Sequence, residues 1–121
     1  MARPTRTAVA VLAAVAVFGP RVAKADTGVA ISGNRYVPKE VVVKGGDTVV
    51  WTNQDDVGHS VTADDGSFDS HPGCTETGGS CLPKGGTFKV TFTKPGRYAY
   101  YCRVHGGPGG SGMAGTVTVA G

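Results

Sequence analysis

The sequence predicts an all-β domain, a two-layer sandwich of short strands, and three observations carry that prediction. Apolar and polar residues alternate with period two in run after run. Gly, Pro, Asn and Asp bound those runs, as turn chemistry requires. No long amphipathic stretch of helical period interrupts them.

The strands begin after an export leader. "MARPTR" is a basic n-region, "TAVAVLAAVAVF" an apolar h-region, and "AKA" a small-x-small cleavage pattern, which places the mature start at Asp26 and divides the chain into a secretory signal peptide, 1–25, and one domain, 26–121. The apolar run from Thr7 to Phe18 has 12 residues, short of the roughly 20 that cross a bilayer as a helix. No cysteine near the cleavage point offers a lipid acceptor, and Arg3 and Arg6 are not adjacent, so the general secretory path is expected, with a periplasmic or extracellular destination.

Losing the leader changes the charge. Four of the twelve basic residues leave with it and all nine acids stay, so a precursor of net charge +3 becomes a domain of −1. A basic isoelectric point therefore gives no argument for nucleic acid or an anionic membrane as partner. The 96 residues that remain suit one compact domain.

Within that domain "TGVAIS" opens the series of strands. "KEVVVKGGDTVVWTN" reads as two strands broken at Gly45-Gly46-Asp47, and "HSVTA" as a third short run before the turn "DDG". After an irregular segment from Ser67 to Gly86 come "TFKVTFTK", the turn "PGR", "YAYYC" and "AGTVTVA". The alternation puts Phe88, Val90 and Phe92 on one face, and Tyr98, Tyr100 and Cys102 on another. Half-buried antiparallel strands so spaced pack as a sandwich, with Trp51 in its core.

Three cysteines in an exported domain leave one over. Cys74 and Cys81 enclose six residues with two glycines, so a disulfide closes there. A zinc site from His71, Cys74 and Cys81 lacks a fourth ligand within sequence reach. Cys102 is then the odd thiol, at a strand end, and in an oxidising compartment such a thiol must be buried or metal-bound. His105 follows three positions on, which spans up to about 10 Å when extended, so a turn right after the strand is needed to bring both onto one ion. Gly106 and Gly107 permit it. Met113, the one methionine after the leader, returns after seven residues of Gly, Pro and Ser. His59 follows Gly58 at a loop-to-strand junction and completes the set, whereas His71, beside Pro72, is expected to be solvated. Two imidazoles, a thiolate and a weak thioether suit copper in an electron-transfer site.

With these residues in view, the mature chain resembles a cupredoxin, a type 1 blue copper protein of the plastocyanin and pseudoazurin type. "YVPKEVVVKGGDTVVWTNQDDVGHSV" is similar to the family's strand, Gly-Asp turn, strand and first-histidine segment; "GRYAYYCRVH" and "MAGTVTV" are similar to its copper loop and last strand. The resemblance implies a Greek-key β-sandwich of seven to eight strands, with His59, Cys102, His105 and Met113 as ligands of one copper ion. Two features depart from the family pattern. The loop before Met113 is longer than the family's short copper loops, and Ser60 stands where an asparagine often braces that loop. The axial position has two candidates, Met113 and the Gly58 carbonyl.

The expected function is single-electron carriage between exported or membrane-bound redox proteins, with copper storage or delivery as the alternative and no enzymatic activity. A redox partner would dock near His105, on a flat patch of Gly106, Gly107, Pro108 and Val57, to a monomer that inserts in no membrane once its leader is gone. The acids Asp55, Asp56, Asp64, Asp65 and Asp69 flank the first-histidine segment; solvated loop charge is the expectation, with attraction of a basic partner as the functional alternative.

Overall fold

The computed structural model describes residues 24–76 and 79–121, so the proposed leader lies outside the described residues apart from its last two positions. Eight strands build it: β1 (Asp26–Ile31), β2 (Tyr36–Val37), β3 (Glu40–Lys44), β4 (Asp47–Asn53), β5 (Thr62–Ala63), β6 (Thr87–Phe92), β7 (Gly96–Gly107) and β8 (Ser111–Ala120). They form two four-stranded sheets, β2-β1-β4-β6 and β3-β8-β7-β5, and no helix occurs among the described residues.

The alternation read from sequence is the alternation that is buried. β3 turns Val41 and Val43 inward and leaves Val42 outside, while β4 buries Asp47, Val49, Trp51 and Asn53 in strict alternation. Trp51 is fully buried at the centre of the core, its ring edge-on to Tyr100 at 5.3 Å and beside Phe88 at 5.9 Å. Tyr36 packs edge-on against Tyr100 at 4.6 Å, which joins the short strand β2 to the same core.

Three details differ from the sequence expectation. The pairs β1–β4 and β3–β8 are parallel, because the chain crosses from one sheet to the other between them instead of folding back as a hairpin. The run "HSVTA" contributes only Thr62 and Ala63 to a strand; His59 pairs instead with Leu82 across the connection that leads to β6. Finally, β7 does not stop at Cys102. It continues through His105 to Gly107, with a register shift against β8 between Tyr101 and Gly106. That bulge replaces the expected turn after the strand and re-aims the side chains it carries.

Candidate metal centre

The centre lies where the β4–β5 connection meets the β7–β8 hairpin. Cys102 and His105 sit on β7, within the irregular stretch of the hairpin, and His59 comes from the connection. His59 and Cys102 are fully buried and His105 is half-buried. Their donor atoms all lie within 4.8 Å of one another. Cys102 Sγ is 3.7 Å from His59 Nδ1 and 3.8 Å from His105 Nδ1, and the two imidazole rings are 4.9 Å apart.

These separations suit one ion. Bonds of about 2.0 Å to nitrogen and about 2.3 Å to sulfur, set at roughly 120° to each other, separate the donors by about 3.7 Å. A sulfur and two ring nitrogens so spaced match a trigonal His₂Cys copper site.

Hydrogen bonds fix the ligands from behind. Asp55 Oδ2 lies 2.8 Å from His59 Nε2, so Nε2 donates to the carboxylate and Nδ1 is the ring nitrogen that faces Cys102. The same carboxylate accepts the N–H groups of Gly33 and Asn34 at 2.8 and 3.0 Å, which ties the first ligand to the turn between β1 and β2. Ser60 N–H donates to Cys102 Sγ at 3.4 Å, and the Tyr36 hydroxyl donates to the Ser60 carbonyl at 2.6 Å. Burial pushes the Cys102 thiol up, but the hydrogen bonds from His59, the Ser60 amide and His105 outweigh it and bring it down to about 6. The chain therefore favours the thiolate, the form that binds a metal. Burial opposes protonation of His59, yet its contacts with Cys102 and Asp55 raise its pKa.

Met113 is 5 % exposed, early on β8, in the same core cluster as Cys102. The hairpin closes with Gly106 opposite Gly112, so close that a methyl on Gly106 would lie 2.8 Å from both Met113 N and Ser111 O. Only glycine permits that approach. The small residues of this loop are thus mainly two strands and a tight turn, rather than a slack return path.

Cys74 and Cys81 form the disulfide, with an S–S distance of 2.03 Å. His71 is half-buried and outside the cluster of donors. Gly58 has a reason to be glycine that the sequence does not reveal: a methyl there would lie 2.6 Å from Cys81 Cβ. The loop acids are mostly engaged. Asp55 holds His59, Asp64 accepts the Gly109 amide at 2.8 Å, Asp69 binds Thr62 and Arg103, and Asp56 pairs with Lys84 at the exposed surface. Asn53, absent from the sequence reading, is fully buried and donates to both Val57 O and Leu82 O while accepting the Asp55 amide. The pattern Asn-x-Asp followed four residues later by His was its one visible signal.

Comparison with known proteins agrees with this geometry. The profile of the copper binding proteins of the plastocyanin/azurin family matches residues 23–120. Chloroplastic plastocyanin of Oryza sativa subsp. indica is 34% identical over 86 residues, 69% of this chain and 54% of that protein, so the chain spans about half of it. Amicyanin-alpha of Methylorubrum extorquens is 36% identical over 101 residues, covering 82% of this chain and 81% of the relative. Among solved structures, an oxidized methionine-to-leucine mutant of amicyanin superposes with a TM-score of 0.59 at 28% identity, over 77% of this chain and 80% of that one. A copper-containing nitrite reductase from Thermus scotoductus reaches 0.64 at 26% identity, over 85% of this chain but 24% of its own. Sandwich, buried donor trio and family profile agree: the chain belongs to the plastocyanin/azurin family of copper-binding proteins.

Proposed function

We propose that this chain is a single-electron carrier with one mononuclear copper ion, which His59, Cys102, His105 and Met113 would hold. The observation that carries this reading is the convergence of one buried thiol and two imidazoles within 4.8 Å. Copper, when bound, supplies the one-electron couple. The chain supplies the rest: Cys102 as thiolate, His59 hydrogen-bonded through Nε2 to Asp55, and a buried setting that keeps water from both of these donors. Holding the donors on strand and brace before the ion arrives limits their movement between oxidation states.

His105 offers the route to a partner. It lines a cleft of about 530 Å³ with Val57, Gly58, Pro83 and Val104, and Val57 is 51% exposed. A redox protein docking there, through a small interface that releases quickly, would meet the imidazole directly. We assign no catalysis. The likeness to nitrite reductase spans a quarter of that chain, so its reaction is not carried over. The precursor is read as an exported monomer, with leader 1–25 and domain 26–121, and the Cys74–Cys81 bond fits an oxidising destination.

The test is spectroscopic and electrochemical. Copper-loaded protein is expected to show intense thiolate-to-copper absorption in the visible and a reversible one-electron wave. Cys102→Ser removes the colour, and Met113→Leu keeps it while shifting the potential. A colourless copper form would end this reading, and transfer of the ion to an acceptor without a reversible wave would favour storage or delivery.

A further inference from the structure

The residues around His59 form two bridges that meet at a covalent bond. On one side His59 N–H donates to Leu82 O at 3.3 Å, and Leu82 N–H donates to His59 O at 2.8 Å. On the other, Ser70 N–H donates to Val61 O at 2.9 Å, and Val61 N–H donates to Ser70 Oγ at 2.8 Å. Segment 58–61, which carries the first ligand, is thus gripped from both flanks. The gripping segments are Ser70–Cys74 and Cys81–Leu82, and the disulfide joins them.

Close packing backs this up. Cys81 Cβ occupies the space beside Gly58 that any side chain there would need. Cys74 and Leu82 are each 3% exposed, and Cys74 N–H donates to His71 O at 3.0 Å, which extends the first segment to the bond itself. Asn53 Nδ2 donates to Leu82 O at 2.9 Å from inside the sandwich, so the second segment is held against β4 as well.

We propose that the Cys74–Cys81 disulfide is a positioning element of the metal centre: it locks Ser70–Cys74 and Cys81–Leu82 around Gly58–Val61 and so holds His59 in place before the ion binds. The inference rests on the reading of His59 as a ligand. It also gives the bond a second task beyond stability, since metal retention then depends on the oxidation state of a cysteine pair that does not touch the donor atoms. Loss of an outer-shell partner commonly weakens metal binding by about 10–100-fold, and the clamp belongs at the lower end of that range because Asp55 still holds the imidazole.

Two variants test it in the mature chain. Cys74→Ser/Cys81→Ser opens the clamp, and Gly58→Ala, with the disulfide intact, forces Cys81 away from the ligand segment. In both, metal-free protein is expected to show faster hydrogen exchange at the His59 and Leu82 amides, with Val49 in the core as reference. In copper-loaded protein, release to a chelator accelerates by on the order of tenfold and the paramagnetic-resonance hyperfine pattern broadens. A lower melting temperature with unchanged His59 exchange, release rate and resonance spectrum would show a merely structural bond and overturn the proposal. Should the double variant fail to fold, Gly58→Ala decides by the same readouts. The exchange measurement needs no metal, so a colourless wild-type copper form would end the electron-carrier reading and leave the clamp still under test.

Discussion

Ser60 Oγ accepts the Arg103 backbone N–H at 2.9 Å and lies 2.9 Å from Thr62 Oγ1, which in turn donates to Asp69 Oδ1 at 3.0 Å. Since the threonine proton goes to Asp69, Ser60 must donate to Thr62. Asp69 Oδ2 then accepts from Arg103 Nε at 3.1 Å, so the chain of bonds ends on the residue where it began. This ring joins the residue after His59 to the residue after Cys102, the bracing task that an asparagine often performs in the family. The Ser60 hydroxyl reaches the Arg103 backbone directly, and Thr62 with Asp69 carries the link on to the Arg103 side chain. Ser60→Ala takes the acceptor from the part-buried Arg103 N–H and the donor from the buried Thr62 hydroxyl, at a cost of about 1–3 kcal/mol. Urea unfolding of the metal-free protein should register that loss, while Ser60→Thr, which keeps the hydroxyl, should recover most of it; equal stability of Ser60→Ala and wild type would rule the ring out as a brace. The donors His59, Cys102 and His105 are legible in the sequence because their chemistry is rare: one odd thiol and few imidazoles in an exported chain. Asp55, Asn53 and Asp69 are not, because an aspartate or asparagine in a loop is ordinarily solvated and only the folded chain shows what it faces.

At the scale of elements, the β7–β8 hairpin decides whether two residues three apart on a strand can serve one ion. Regular pairing runs from Gly96–Val119 to Tyr101–Ala114, resumes at Gly106–Gly112, and between these the register shifts. The displaced stretch contains Cys102 and His105, and their Sγ and Nδ1 atoms end 3.8 Å apart. Alternating hydrophobicity predicts where strands lie but carries no signal for a bulge, so the sequence supports only the need for a bend, not its form. Parallel pairing of β1 with β4 and of β3 with β8 is equally silent, since it depends on long crossings between sheets. The hairpin makes its own prediction. Gly106→Ala places a methyl 2.8 Å from Met113 N and Ser111 O, both backbone atoms, so the two strands must part. The loss is expected to be about 1–3 kcal/mol, with a shift in the copper spectrum because His105 and Met113 flank the opening. Thermal unfolding and the visible spectrum measured together check it, and an unchanged spectrum would separate the hairpin from the centre.

For the molecule as a whole, the sandwich is legible because its core obeys a simple alternation, with Val41, Val43, Val49 and Trp51 all buried as their positions suggest. Its response to acid is set by carboxylates instead. Four aspartates are held below their ordinary range. Backbone N–H groups of Lys44 and Ala25 lower Asp47, and Ser67 lowers Asp65. Burial works to raise Asp55 and Asp69, but the amides of Asn34 and Gly33 with His59 outweigh it for the first, and Arg103 with Thr62 for the second. A carboxylate lowered in the folded state stabilises fully above the unfolded value of about 3.9, and that contribution is lost as pH falls through the lowered folded value. Metal-free protein should therefore keep the aspartate contribution down to about pH 4 and weaken steeply below it. Asp69→Asn isolates one share of that slope. At neutral pH the variant is expected to be less stable by about 1 kcal/mol, a modest figure because Arg103 is about a third exposed at 34%. As pH falls through the lowered folded value the gap should close, since Asp69 is then protonated in folded wild type as well. Unfolding curves of both proteins from neutral pH into acid decide the matter, and a gap that persists or widens in acid would mean that Asp69 acts through its shape and not its charge.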